Sequence, residues 1–116
     1  MKKHLLLLMM LASGPAWAVG NDGASVIVGP ISCGKFIENL KTGGSPYMLW
    51  VAGYLTAYNA LVPDTFDVLG NSDMASVKLW LENYCKANPL EKLPTAMEVL
   101  INELRPKRHR NREDQK

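Results

Sequence analysis

The sequence predicts an all-α fold, a compact bundle of about four helices held by one disulfide. Three observations carry this reading. Four segments between Ser32 and Leu104 repeat apolar residues at spacings of three and four, the period of an amphipathic helix. Hydroxyl, Asn and Asp caps, prolines and glycines punctuate the segment ends. No stretch alternates apolar and polar residues as a half-buried strand does, and the only two cysteines, Cys33 and Cys85, both fall on apolar helical faces.

The elements follow in order. Val19–Ile31 is Gly-rich and without helical period, with room for a short strand at Ser25–Val28, and is read as a flexible N-terminal arm. Ser32 caps a helix across Cys33–Lys41, whose Cys33, Phe36, Ile37 and Leu40 share a face. Gly43-Gly44 ends it. Ser45-Pro46 sets a hydroxyl N-cap before a proline at the first helical position, and the next helix runs to Val62, ahead of Pro63. Tyr47, Trp50, Val51, Tyr54, Tyr58 and Leu61 form its stripe, widened by Leu55 and Val62. As the most apolar helix it is expected at the centre of the domain, with Gly53 allowing another helix to approach closely. Pro63–Ser72 is a linker of turn formers. Ser72 or Asp73 caps a third helix with Met74, Val77, Trp80, Leu81, Tyr84 and Cys85 on its face. Asn88-Pro89 ends that helix, and Glu91 three residues after Asn88 suggests a capping box. Pro94 opens or kinks a last helix with Leu93, Met97, Leu100, Ile101 and Leu104, and Pro106 is expected to end order.

Length and composition set the frame. The chain has 116 residues, enough for one domain, and is 47% hydrophobic and 21% charged, which excludes wholesale disorder. Its net charge of +2 hides three blocks: Lys2 and Lys3, a stretch 19–104 with five Lys and nine Asp/Glu, and residues 105–116 with six Lys/Arg and two acids. The blocks carry +2, −4 and +4 respectively.

The first block reads as a secretory signal. Lys2-Lys3 makes a positive start, Leu5–Ala12 is unbroken and apolar, and Ala16-Trp17-Ala18 places small residues at the −3 and −1 positions of a cleavage site. The run falls well short of the ~20 residues that span a bilayer, although a retained anchor is the alternative. No stable membrane insertion is expected elsewhere. Cleavage after Ala18 leaves a mature chain of 98 residues exported to the periplasm. In that oxidising compartment two cysteines in a small domain usually pair, closing a loop of roughly 53 residues, with two free thiols as the competing reading. A metal site lacks the ligand count, and no cofactor is expected.

Catalytic groups are sparse. The one mature histidine, His109, lies beyond Pro106. The serines have no partner histidine in any helical segment, and neither G-x-S-x-G nor H-E-x-x-H occurs. Asp64, Asp67 and Asp73 are accounted for by turns and caps rather than a carboxylate pair. The chain reads as a non-enzyme. The aromatics Trp50, Tyr54, Tyr58 and Trp80 are candidate partner-binding residues, weighed against a plain role in the core. The basic tail, residues 105–116 with Arg105, Lys107, Arg108, Arg110 and Arg112, reads as a disordered, solubilising segment, or else as an electrostatic contact for anionic lipid. Export argues against nucleic acid.

Cys33-Gly34-Lys35-Phe36, then Trp50-Val51-Ala52-Gly53-Tyr54, then Tyr84-Cys85-Lys86-Ala87-Asn88-Pro89, with Ala96 following, resembles the C-x-x-F, W-x-x-G-Y and Y-C-x-x-N-P pattern of small secreted HdeA/HdeB-like proteins. The resemblance covers about 32–104, taken as the domain. It implies a disulfide-linked, all-helical periplasmic protein, often a homodimer, whose best-known relatives are acid-stress chaperones that loosen in acid and coat unfolding protein clients. The basic tail and the longer Pro63–Asp73 connection depart from it. The alternative resemblance is to Rap/Tai-like immunity proteins, which bind one partner, a cell-wall amidase effector; these often carry Cys where this chain has Trp50. The charge pattern permits the chaperone reading. With all carboxyls protonated, block 19–104 would pass from −4 to +5 and the tail from +4 to +6, and self-repulsion opposes the compact state.

Overall fold

Apolar periodicity becomes four helices: α1 (Cys33–Lys41), α2 (Ser45–Leu61), α3 (Met74–Ala87) and α4 (Leu93–Leu104), followed by two short 3-10 turns, Arg105–Lys107 and Arg112–Gln115. This computed structural model describes residues 31–43 and 45–116. The signal segment, the proposed strand at Ser25–Val28 and all of the arm except Ile31 lie outside the described residues. Among the described residues no strand forms, and the only ladder contacts are isolated antiparallel bridges, Ser32 with Lys92 and Asp67 with His109.

α1 is anchored at its start. The Lys35 amide donates to Ser32 Oγ at 3.1 Å, as expected of an N-cap. Two further amides of the first turn find acceptors in the chain between α3 and α4: Cys33 N donates to Glu91 O at 2.7 Å and Gly34 N to Pro89 O at 2.9 Å. The donors that a helix leaves unpaired at its N-terminus thus bind α1 to the loop after Cys85. That brings the Cys33 and Cys85 Cα atoms within 4.7 Å, and the disulfide is formed, with both residues fully buried.

The core joins Cys33 and Phe36 of α1, Val51 and Leu55 of α2, Val77, Leu81 and Cys85 of α3, and Leu93, Ala96, Met97, Leu100 and Ile101 of α4. Three expectations need correction. α2 is not the centre: it contributes two buried residues, while α4 contributes five. Gly53 admits no neighbouring helix, since a Cβ built there would meet nothing within 4 Å. Asn88 does not open a capping box. It is the C-cap of α3, its side-chain amide donating to Tyr84 O at 2.9 Å. α4 begins after Lys92 with no side-chain cap and takes its start from Pro94 in the first turn.

The linker and tail also depart from expectation. Val68 is fully buried, and the Val68 amide donates to Asn59 Oδ1 at 2.8 Å, which ties the linker to the end of α2. The segment beyond Pro106, expected to be disordered, returns across this linker. His109 N donates to Asp67 O at 2.9 Å, and Phe66 N and Asp67 N both donate to His109 O. Arg108 Nε donates to Asp64 O at 2.8 Å. Gly70, at φ +57°, leaves room for the Lys107 carbonyl, on which any Cβ would fall. A run of charge predicts solvation, but these contacts are made chiefly by the tail's backbone, which charge counting does not register.

Candidate functional site

The candidate site is the face of α2 turned away from the core. The helix places Val51 and Leu55 inward, so at 100° per residue Leu49, Gly53, Thr56, Ala57, Ala60 and Leu61 fall on the opposite side. All six are exposed, Leu49 at 71% and Leu61 at 80%. No residue between Ser45 and Val62 carries a charge. The one hydroxyl on this face is already satisfied: Thr56 Oγ1 donates to Ala52 O at 2.8 Å. What remains is an apolar surface with no polar group demanding water.

The aromatics border this surface. Trp50 and Tyr54 pack with ring centroids 5.3 Å apart and planes at 51°. Together with Tyr58 they are half-buried against the core, leaving one edge to solvent. Burial raises the Tyr54 pKa above its ordinary 10.0, helped by nearby Glu98 and Tyr58. The fourth predicted residue, Trp80, belongs to a different cluster. It stacks on Tyr84 at 5.1 Å and 9°, and its Nε1 donates to Glu103 Oε2 at 2.9 Å, linking α3 to α4. Trp80 also walls a hollow of about 150 Å³ with Ser76, Leu100 and Lys107, below the roughly 300 Å³ at which small-molecule sites begin.

Arg108 is tied to Asp64 O and Arg105 O, while Arg105, Lys107, Arg110 and Arg112 lie exposed along the tail. Among the described residues no group of three or more His, Cys, Asp and Glu could hold a metal ion, and no helix is long and apolar enough to cross a membrane. Ion pairs there are confined to single helices, Lys35 with Glu38 and Lys86 with Glu82.

Reading the stripe at three and four found the inward Val51 and Leu55 and their half-buried aromatic neighbours, wrongly placed Leu61 among them although it is 80% exposed at the helix end, and missed Leu49, Gly53, Ala57 and Ala60. The available signal was the absence of charge all round the helix, which marks a helix covered on every side. Among the described residues only one side is covered. Comparison with protein-family models, with curated proteins and with solved structures finds no match in any of the three. The described residues form a four-helix, single-disulfide domain in which α2 turns an apolar face to solvent.

Proposed function

We propose that this chain is a non-enzymatic, periplasmic binding protein of the HdeA/HdeB-like kind, holding unfolding protein clients on the outer face of α2. The observation that carries the reading is that face: 17 helical residues without a charge, with Leu49 and Leu61 largely exposed. A surface of this kind adapts to many apolar segments, because it asks for no matching charge or hydrogen bond. Acid would widen it. Block 19–104 and the tail attract each other at neutral pH, at −4 and +4, and repel once both are cationic. The disulfide would keep α1 on α3 while the remainder loosens.

The test is client holding at pH 7 and pH 3 in parallel, using a reporter protein that aggregates in acid and affinity capture of periplasmic proteins. Suppressed aggregation at pH 3 with broad capture there is the expected result. Capture of one amidase at pH 7 with no activity at pH 3 would replace the chaperone reading with the immunity-protein reading. Inactivity at both pH values would end both.

A further inference from the structure

We infer that the groove between α1 and α3 binds a free single-chain carboxylate amphiphile, a medium-chain fatty acid, with its head between Lys41 and Lys78 and its alkyl chain on Ile37 and Leu40. The groove has a volume of about 350 Å³ and is lined by Ile37, Leu40, Lys41, Lys78, Glu82 and Lys86. It includes no residue of α2, and the inference does not depend on client holding. The helix register brings these side chains together. Counted from the Cys33–Cys85 bond, Lys41 stands eight residues along α1 and Lys78 seven residues back along α3. At 1.5 Å per residue those are about 12 and 10 Å, so the two ammonium groups flank the same end of the groove they both line. Ile37 and Glu82 lie half-way, and Lys86 lies at the disulfide end.

Charge selects the head group. Of the five Lys in block 19–104 three line this groove, against one of its nine Asp/Glu, so a block that is −4 as a whole is locally +2. The one acid is already matched. Lys86 Nζ donates to Glu82 Oε1 at 2.7 Å, and this bond and charge hold the Glu82 carboxyl below its ordinary 4.5, with Lys78 contributing least. Among the described residues Lys41 and Lys78 enter no ion pair. With the Glu82 carboxylate committed to Lys86, the Lys41–Lys78 end attracts an anion and offers it two charged donors.

The floor selects the tail. Ile37 and Leu40 lie on the apolar face of α1 and are only half-buried by the core. An alkyl chain laid over them removes that surface from water, which a small inorganic anion does not do. Apart from the lysines and Glu82, the groove presents no side chain able to hydrogen bond. An acidic peptide would leave its backbone groups unpaired against Ile37 and Leu40, whereas an alkyl chain has none to pair. Size narrows the choice further. At roughly 30 Å³ per heavy atom, the share of a water molecule in the liquid, the volume holds on the order of a dozen heavy atoms, the size of decanoate. It lies at the lower end of small-molecule sites, which begin near ~300 Å³.

Calorimetric titration of the mature, oxidised chain at pH 7 with decanoate, kept below the concentration at which it forms micelles, tests this. One saturable site is expected. Decyltrimethylammonium, with the same chain on a cation, and acetate, with the head but no chain, should each bind weaker by about tenfold or more. On addition of decanoate the Ile37 and Leu40 methyl resonances should shift, and those of Leu49 and Leu61 should not. Lys41→Glu/Lys78→Glu should weaken decanoate by about tenfold or more with circular dichroism unchanged, since both side chains are exposed. Lys35→Glu/Lys92→Glu makes the same change of net charge outside the groove and should bind as wild type does. The analogue series and the methyl shifts need no variant, so they decide the matter even where a variant fails to fold. No saturable decanoate binding, equal affinity for the cationic analogue, or a Lys41/Lys78 variant that folds and binds normally would each overturn the inference. Loss of binding in Leu49→Glu/Leu61→Glu would move the ligand to α2 and overturn it as well. Attachment to phosphatidylglycerol vesicles through Lys41 and Lys78, without binding of free decanoate, would make the groove a membrane contact and overturn the free-acid assignment.

Discussion

Cys33 and Cys85 show how a single residue pair can set the stability of a small domain. Both are fully buried, and their bond closes a loop with a sequence separation of 52. Replacing the pair by alanine should lower unfolding free energy by about 4 kcal/mol in the chain-entropy treatment, a large part of the ~5–15 kcal/mol total of a domain. Urea denaturation of the double variant measures this, and an unchanged midpoint would show that Cys33 N–Glu91 O and Gly34 N–Pro89 O already close the loop unaided. This pairing was legible in sequence because two cysteines allow only one. Gly70 was not. Its requirement comes from Lys107, far along the chain, whose carbonyl occupies the space a side chain would need. Gly70→Ala should release the tail, visible as faster tryptic cleavage at Lys107 and Arg108 with the α1–α3–α4 core still folded. Cleavage at the wild-type rate would mean the tail does not depend on that contact.

At the scale of elements, α1, α3 and α4 follow the sequence closely because each has one apolar face and buries it against the other two. Ser32 and Asp73 act as the expected N-caps, the Ser76 amide donating to Asp73 Oδ1 at 2.7 Å. α2 was misplaced for a physical reason. Apolar content reports how much a helix would gain from burial, not whether its own chain supplies the cover. What holds α2 at its end is Asn59, which accepts from Val68 N and so joins the helix to the buried linker. Asn59→Ala should destabilise the domain by about 1–3 kcal/mol, since the Val68 amide would lose its partner. Thermal or urea melts check this, and a loss confined to well under 1 kcal/mol would show that water replaces the side chain. Half of the candidate site was legible in the same way: the aromatic edge followed from periodicity, and the exposed face did not, because exposure depends on where α3 and α4 lie.

For the whole molecule, acid acts through carboxylates that the folded state holds ionised. Asp73 lies below its ordinary 3.8 because the Ser76 backbone and hydroxyl donate to it, and Asp114 lies below 3.8 through the Arg110 and Asn111 amides. Glu82 is held below 4.5 by the Lys86 hydrogen bond and charge. Their folded values are depressed, so their contribution to stability is complete above the ordinary values and is lost as pH falls through the lowered ones. Stability should therefore decline below about pH 4, joined there by the repulsion of a chain turned cationic. The two causes separate with salt. Added salt screens repulsion and should restore part of the compact state at pH 2–3, whereas it would leave protonated caps unmade. Sedimentation and an apolar dye across that range read the outcome, and a particle unchanged at pH 2 would contradict it.

Most direct for the central claim is client holding by the double variant Leu49→Glu/Leu61→Glu. Both side chains are exposed, so the fold should persist by circular dichroism at pH 7. At pH 3 these glutamates are largely neutral yet still polar, so aggregation of the reporter protein should be suppressed several-fold less well than by wild type. Substitution of Leu90, exposed at 92% on the loop before α4, serves as the control and should leave holding unchanged. A Leu49/Leu61 variant that folds and holds the reporter as well as wild type does would contradict the account.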